Sequence, residues 1–284
     1  MKNQPASYED LIHPLPRLHP KAVYYGILKL LLGTIGRLSD GIRLGSQYGF
    51  DSGVMLEYVY RNKASGQGWL GRAIDRIYLD TPGWRGIRER AEILKDTLRK
   101  IIHDNSRQER PTVLLDVACG GGRYVLEVLH EFSKETVTAT LRDYREENVQ
   151  KARALARELG VPAVIETADA FSEADLKRGN PAPNVIVVSG LHEILPDNGL
   201  IRTHFHQLYG ILQTPGTLVF TIQPSHPQVE LIARTLTSHS GGPWVMRLRP
   251  FALTRQWAEE AGFQIAQTHM DSQNIFGVVA AHKI

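Results

Sequence analysis

The chain has 284 residues, 42% of them hydrophobic, with a net charge of only +3. That length and apolar content suit one large α/β domain with an accessory segment, and so small a charge gives no sign of a nucleic-acid surface. The single cysteine, Cys119, excludes a disulfide framework and fits a reducing compartment, so a cytoplasmic location is expected. Residues 1–20 contain Pro5, Pro14, Pro16 and Pro20; they read as an extended arm and show no secretory signal. Residues 22–35 are the most apolar segment. They fall short of the roughly 20 residues that span a bilayer and read as a buried or lid-forming helix, with a membrane-surface helix as the alternative. Residues 41–71, rich in glycine and tyrosine, give no clear assignment. Residues 87–102 form the clearest helix, with Ile87, Ala91, Leu94, Leu98 and Ile101 spaced along one face. Pro111 separates this helical part, 1–110, from the remainder, 111–284.

From Thr112 onward strands and helices alternate, the pattern of a parallel sheet. Strands are expected at 113–115, 137–141, 163–167, 185–188 and 218–222. Helices are expected at 145–159, 200–212, 228–236 and 254–261. Residues 265–268 and 276–281 lie close enough together to make a terminal antiparallel pair. No repeat or low-complexity segment is present.

The stretch Leu114-Leu115-Asp116-Val117-Ala118-Cys119-Gly120-Gly121-Gly122-Arg123 carries the most chemistry. A buried strand ends on an acid and enters a glycine turn, where a backbone without Cβ atoms can approach a ligand. In open α/β sheets, ligands bind beyond the carboxyl ends of the strands. No Lys-Ser or Lys-Thr follows the glycines, so this is not a phosphate loop. The spelling Asp-x-Ala-Cys-Gly-x-Gly resembles motif I of the class I S-adenosylmethionine-dependent methyltransferases. The resemblance implies a Rossmann-like, seven-stranded, mostly parallel sheet with the last strand antiparallel, and S-adenosylmethionine as cofactor, leaving as S-adenosylhomocysteine. It implies that Ala118, Cys119, Gly120, Gly122 and Arg123 contact the cofactor through the loop, with Asp116 near the ammonium group. Ala118 departs from the glycine common at its place and needs a backbone that is not left-handed.

Three later strand ends complete the expected cofactor site. Asp143, followed by Tyr144, can accept two hydrogen bonds from a ribose diol. By the resemblance, Asp169 accepts from the adenine amino group, Ala170 gives a backbone contact and Phe171 packs near the ring. Ser189 and Gly190 open the loop that faces the methyl acceptor. The competing reading of each acid alone is a helix cap.

The resemblance extends to a family of methyltransferases in bacteria. It rests on Ile42-Arg43-Leu44-Gly45, Phe50-Asp51-Ser52-Gly53, Tyr58-Val59-Tyr60-Arg61-Asn62, Gly83-Trp84-Arg85-Gly86-Ile87-Arg88 and Gln223-Pro224-Ser225-His226-Pro227-Gln228. Members are largely without assigned substrate, and some are fused to a lysophospholipase-like hydrolase, which implies a lipid-related acceptor. In such enzymes the N-terminal helices cover the pocket.

For catalysis, His192 is the first candidate general base, since imidazole titrates near neutrality. Glu193, His226 and Tyr60 are further candidates. Tyr58, Arg61, Trp244 and Arg247 are candidate acceptor contacts. Plain alternatives stand beside each: a packed histidine, a turn histidine, core tyrosines, and a solvated surface pair of Arg247 with Arg249. Asp197-Asn198 reads as a helix start, and no metal is expected. The expected partner is a small-molecule acceptor rather than nucleic acid, with a peripheral membrane or lipid contact as an option and either a monomer or a homodimer as the assembly. A nicotinamide-dependent oxidoreductase and a non-catalytic cofactor-binding subunit are the competing functions.

Overall fold

A parallel sheet buries its strands on both faces, so its central strands need unbroken runs of apolar residues. Val185–Val188 meets that demand: every residue of it is buried. In the computed structural model, which describes residues 7–16, 18–178 and 181–284, this strand lies in the middle of a seven-stranded sheet. In chain order the elements are α1 (Tyr8–Ile12), α2 (Pro20–Gly33), a 3-10 turn (Ile35–Leu38), α3 (Asp40–Tyr48), α4 (Gly53–Arg61), α5 (Gly68–Leu79) and α6 (Pro82–Arg107). Then follow β1 (Thr112–Asp116), α7 (Arg123–Leu129), β2 (Val137–Asp143), α8 (Glu146–Leu159), β3 (Val164–Thr167), α9 (Glu173–Leu176) and β4 (Val185–Val188). The chain ends with α10 (Leu191–Ile194), α11 (Asn198–Ile211), β5 (Gly216–Ile222), α12 (Val229–Thr235), α13 (Phe251–Glu260), β6 (Gln264–Met270) and β7 (Gly277–Lys283).

The sheet order is β3-β2-β1-β4-β5-β7-β6. β7 runs antiparallel to both β5 and β6, and the other neighbours are parallel. This is the expected α/β class with its seven strands and inserted antiparallel strand, and N-terminal helices accompany it. All strand positions read from the sequence hold, with ends that shift by a few residues. α13 starts at Phe251 rather than 254, and α11 at Asn198, capped by Asp197, whose Oδ1 accepts from Gly199 N and Leu200 N.

Packing divides the chain into two units: Met1–Arg88 with His226–Leu248, and Glu89–Ser225 with Arg249–Ile284. α6 begins in the first and continues in the second. Leu94, Leu98 and Ile102, all fully buried, belong to the same core cluster as β1, α7 and α8. Ile102 joins that face, with Ile101 partly buried against the same cluster. The second core cluster of this unit joins β4 and β5 to α11 and α13 through Phe205, Phe220, Trp257 and Phe263.

The first unit corrects two sequence readings and assigns a stretch the sequence left open. Residues 8–12 are helical in spite of the surrounding prolines. Ser7 and Asp10 form a reciprocal capping box, and Pro20 stands at the first position of α2, where proline costs no hydrogen bond. The unassigned stretch 41–71 forms α3 and α4, capped by Ser39 and Ser52; α4 ends at Asn62 with φ 47°. The apolar helix α2 has no buried residue, so of the buried, lid-forming and membrane-surface readings the buried one does not hold. This unit is organised instead around the fully buried Asp75. Its carboxyl group accepts from Ser39 Oγ (2.5 Å), Gly41 N (2.9 Å), Tyr58 Oη (2.5 Å) and Ser65 N (2.8 Å).

One buried side chain ties the parallel strands together near their amino ends. Asn184 Oδ1 accepts from Val113 N (2.9 Å), and its Nδ2 donates to the Pro111 carbonyl (2.9 Å). Asn184→Ala removes both bonds, from a half-buried N–H and from the carbonyl of the exposed Pro111, and is expected to cost about 1 kcal/mol of unfolding free energy in a denaturant titration.

Candidate functional site

The site is built at the carboxyl ends of β1 to β4. After Asp116 the chain turns through Gly120 (φ +58°) and Gly122 (φ +70°) into α7. A Cβ on Gly120 or Gly121 would meet no atom within 4 Å, so the outer side of the turn is open. A Cβ on Gly122 would lie 3.0 Å from Leu141 Cδ2, so that glycine lets α7 seat against β2. Ala118 is not among the residues with positive φ, which is the condition its methyl group required.

Hydrogen bonds fix this turn from two sides. Gly120 N donates to Asp143 Oδ2 (2.9 Å), and Cys119 N donates to the Arg142 carbonyl (2.8 Å). The turn is thereby tied to the end of β2. Asp143 Oδ1 accepts from Arg145 N (2.9 Å) and Asn148 Nδ2 (3.0 Å), which shapes the turn into α8. An ionised carboxylate has lone pairs beyond these three bonds. Tyr144 beside it is exposed. Arg123 reaches along α7 to Glu127 (3.3 Å). Cys119 is buried in the core, and burial pushes its thiol well above its ordinary pKa, so it is a packing residue here.

Asp116 ends β1. It is fully buried, and Oδ2 accepts from Tyr124 Oη (2.5 Å) while Oδ1 accepts from Ala118 N (3.2 Å). Its carboxyl group holds the glycine turn to the first turn of α7. Burial pushes its pKa up to about 7, against the lowering effect of those two bonds.

At the end of β3, Asp169 is exposed; its Oδ1 accepts from Phe171 N (2.9 Å) and its own N donates to Asp175 Oδ2 (2.8 Å). Ala170 is buried, and the Phe171 ring lies 4.6 Å from that of His204. At the end of β4, Gly190 (φ +75°) donates its N–H to Thr221 Oγ1 (2.8 Å) on β5. Asp116, Asp143, Asp169 and Ser189–Gly190 thus terminate four neighbouring strands at one end of the sheet.

His192 is 4% exposed. Its Nε2 lies 2.9 Å from His204 Nδ1, and its ring packs 5.0 Å from Phe205. Burial, then the neighbouring His204 and Arg249, hold its pKa well below the usual value, so the ring is neutral near pH 7. Glu193 follows, with its side chain 7% exposed and neither carboxyl oxygen hydrogen-bonded; Arg90 Nη1 of α6 is 3.6 Å away. The Arg90 guanidinium lies 5.1 Å from the Phe276 ring centre and 3.8 Å from where a Gly190 Cβ would stand. Arg90 was not legible as a site residue, because nothing in the helical pattern of α6 distinguishes it from the other basic residues there.

Arg249 corrects the reading of a solvated pair. It is 5% exposed and donates to Asn198 Oδ1 (2.9 Å), the His192 carbonyl (2.9 Å) and the Leu195 carbonyl (2.5 Å), clamping the loop after β4. Arg247 belongs to the first unit, where it pairs with Glu9 (3.6 Å) and covers the Tyr8 ring.

The remaining candidates also belong to the first unit. The Tyr58 hydroxyl donates to Asp75, and burial raises its pKa further. Tyr60 is partly buried, and Arg61 pairs with Glu57 (3.0 Å). Trp244 stacks on Trp84 with ring centres 5.9 Å apart. His226 is buried, and its Nδ1 accepts from Gln228 N (3.1 Å). Among the described residues no three His, Cys, Asp or Glu side chains are grouped as a metal site requires.

The pKa of Asp116 has a testable sign. A carboxyl group raised from 3.8 to about 7 favours the fold fully at low pH, and that contribution is lost as pH climbs through about 7. Asp116→Asn removes the titration. Thermal melts across pH are expected to show the variant gaining on the wild type between the two values and holding a constant difference above them; parallel curves would refute the assignment.

Comparisons with known proteins agree with this architecture. The chain is 36% identical over 271 residues to the uncharacterized protein YnbC of Escherichia coli strain K12. The match covers 94% of this chain and 46% of YnbC, so the chain spans about half the length of that curated relative. Among solved structures, a possible exported protein from Bordetella parapertussis aligns with TM-score 0.65 at 20% identity, covering 94% of this chain and 99% of that one. The magnesium protoporphyrin IX methyltransferase of Synechocystis, solved with bound S-adenosylhomocysteine, aligns with TM-score 0.58 at 15% identity over 86% of this chain and all of that one. A family model described as "Putative methyltransferase" matches residues 2–283; the match takes in the glycine turn, the whole sheet and the N-terminal helices, and the chain belongs to that methyltransferase family.

Proposed function

We propose that the protein transfers a methyl group from S-adenosylmethionine to a small, partly apolar acceptor. The observation that carries this reading is the Gly120–Asp143 link. It holds an open glycine turn beside a carboxylate with acceptor capacity to spare, at the strand ends where a nucleoside with a charged tail would lie. The residues present fit such a group: the turn offers backbone, Asp143 suits a ribose diol, and Asp169 to Phe171 offer a carboxyl group, a backbone contact and a ring. Asp116 acts through the loop, by fixing Tyr124 and Ala118.

When bound, the cofactor supplies a methyl group on a positively charged sulfur. The protein's share of the reaction is then to hold the acceptor in line and take its proton where one must leave. Glu193 suits that task better than His192. The His192 ring is enclosed and already spends Nε2 on His204, whereas both oxygens of Glu193 lack hydrogen-bond partners in a buried setting, which is costly unless a ligand supplies donors. Arg90 beside it balances the charge. His192 serves in packing, and its carbonyl anchors Arg249.

Calorimetric titration with S-adenosylhomocysteine is expected to show binding, and Asp143→Ala to weaken it by about 10- to 100-fold, the worth of a lost charge-assisted pairing. Binding of a reduced nicotinamide instead would favour an oxidoreductase and overturn the proposal. Once radiolabelled methyl transfer to a panel of hydroxyl, amine and lipid acceptors has identified a substrate, Glu193→Ala is expected to lower turnover at least about 100-fold with cofactor affinity unchanged. Normal turnover in that variant would remove Glu193 from the reaction, and absence of turnover with every acceptor would favour a cofactor-binding subunit.

A further inference from the structure

The first unit exposes apolar side chains in an ordered way. On α2, Val23, Tyr24, Ile27, Leu30 and Leu31 are each 46–65% exposed, and Ile35 just beyond is 54% exposed. Val23, Ile27, Leu30 and Leu31 stand at helical spacing and make one stripe. The more covered positions Ala22, Tyr25, Leu28 and Leu32 lie on the other side, and α2 packs against α12 and the 3-10 turn. α5, which packs on the same 3-10 turn, adds Trp69 (76% exposed) and Ile77 (72% exposed), two turns apart on one face. Scattered exposed hydrophobes need no explanation, but an apolar stripe along α2, with Trp69 and Ile77 on a helix that packs on the same 3-10 turn, does.

Charge identifies the occupant. From Leu11 to Ser39 the sequence has no Asp or Glu, but it has Arg17, Lys21, Lys29 and Arg37. Lys21 is bound to Glu230 (2.8 Å), while Lys29 of α2 and Arg37 of the 3-10 turn are exposed. An apolar stripe on a segment with exposed cations and no acid, together with exposed Trp and Tyr rings, matches the interface of an anionic bilayer. A second copy would instead bring the same cations together with no acid in the stripe to offset them. α2 has 14 residues, and no helix among the described residues is long and apolar enough to cross a membrane, so the helix would lie in the surface.

We propose that α2, with Trp69 and Ile77 of α5, is a peripheral membrane-docking face selective for anionic lipid. The test is flotation of the intact protein with vesicles of phosphatidylcholine alone or of phosphatidylcholine mixed with phosphatidylglycerol, alongside sedimentation velocity without lipid. The expected result is a monomer that floats with the anionic vesicles, is released by raised salt and stays behind with neutral ones. Ile27→Glu with Leu30→Glu is expected to cut the floated fraction at least about tenfold, with an unchanged melting temperature because both side chains are mostly exposed. Lys29→Glu, which leaves every apolar contact in place, is expected to weaken binding to anionic vesicles alone. Failure to float, equal flotation with neutral vesicles, or unimpaired flotation of the double variant would overturn the proposal. So would a dimer that the double variant converts to monomer. None of these outcomes bears on S-adenosylhomocysteine binding, so the two proposals fail separately.

Discussion

The candidate site depends on one backbone-to-side-chain contact, the Gly120 amide on the Asp143 carboxylate. A glycine turn alone has too much conformational freedom to present a fixed surface. Here the bond to Asp143 continues the β1–β2 pairing past the last ladder residues, and Cys119 N to the Arg142 carbonyl adds a second rung. From the opposite side Asp116 holds Tyr124 and Ala118. The turn is thus held between two buried carboxyl groups, Asp116 at 0% and Asp143 at 9% exposure. Asp116, without water, is driven toward the neutral form. Asp143 gathers three donors, Gly120 N, Arg145 N and Asn148 Nδ2, and so joins the glycine turn to the start of α8.

The loop after β4 follows the same logic with cations in place of amides. Arg249 satisfies three oxygens and leaves the loop little freedom. It also places a positive charge beside His192, which adds to burial in keeping that ring neutral. Glu193 is then the one acid of this loop that is buried without hydrogen bonds, and Arg90 offsets it at 3.6 Å, too long for a hydrogen bond. Buried pairs of this kind contribute little to stability by themselves. The unpartnered oxygens of Glu193 are what the proposal of a ligand donor at this loop draws on.

The sheet was legible because its demands are local. Val185–Val188 must be apolar throughout, and the spelling from Asp116 to Gly122 allows few backbone paths. The expectations for α6 and α8 held for a similar reason: each has an apolar stripe, and α8 stops at Gly160 in the left-handed conformation. What escaped was set by distant partners. Arg90, Arg249, Asn184 and Asp75 are polar residues in polar-looking surroundings, and each gains its meaning from atoms far along the chain. The bond from Tyr124 to Asp116, eight residues apart, was likewise not legible. Residues 8–12 were missed because proline density outweighed a capping box of two residues.

α2 is the most instructive element, since its composition was legible while only the buried one of its three readings is ruled out. Apolar content predicts removal from water, but it does not specify what removes it. In the second unit the answer is the protein itself: Val185 through Val188 are covered by helices packed on both faces of the sheet. In the first unit the polar Asp75 is sealed inside, with four donors, while Ile27 and Leu30 remain in contact with solvent. The stripe on α2 is uncovered by this chain, and the absence of acids along residues 11–39 is what favours an anionic surface as its proposed occupant.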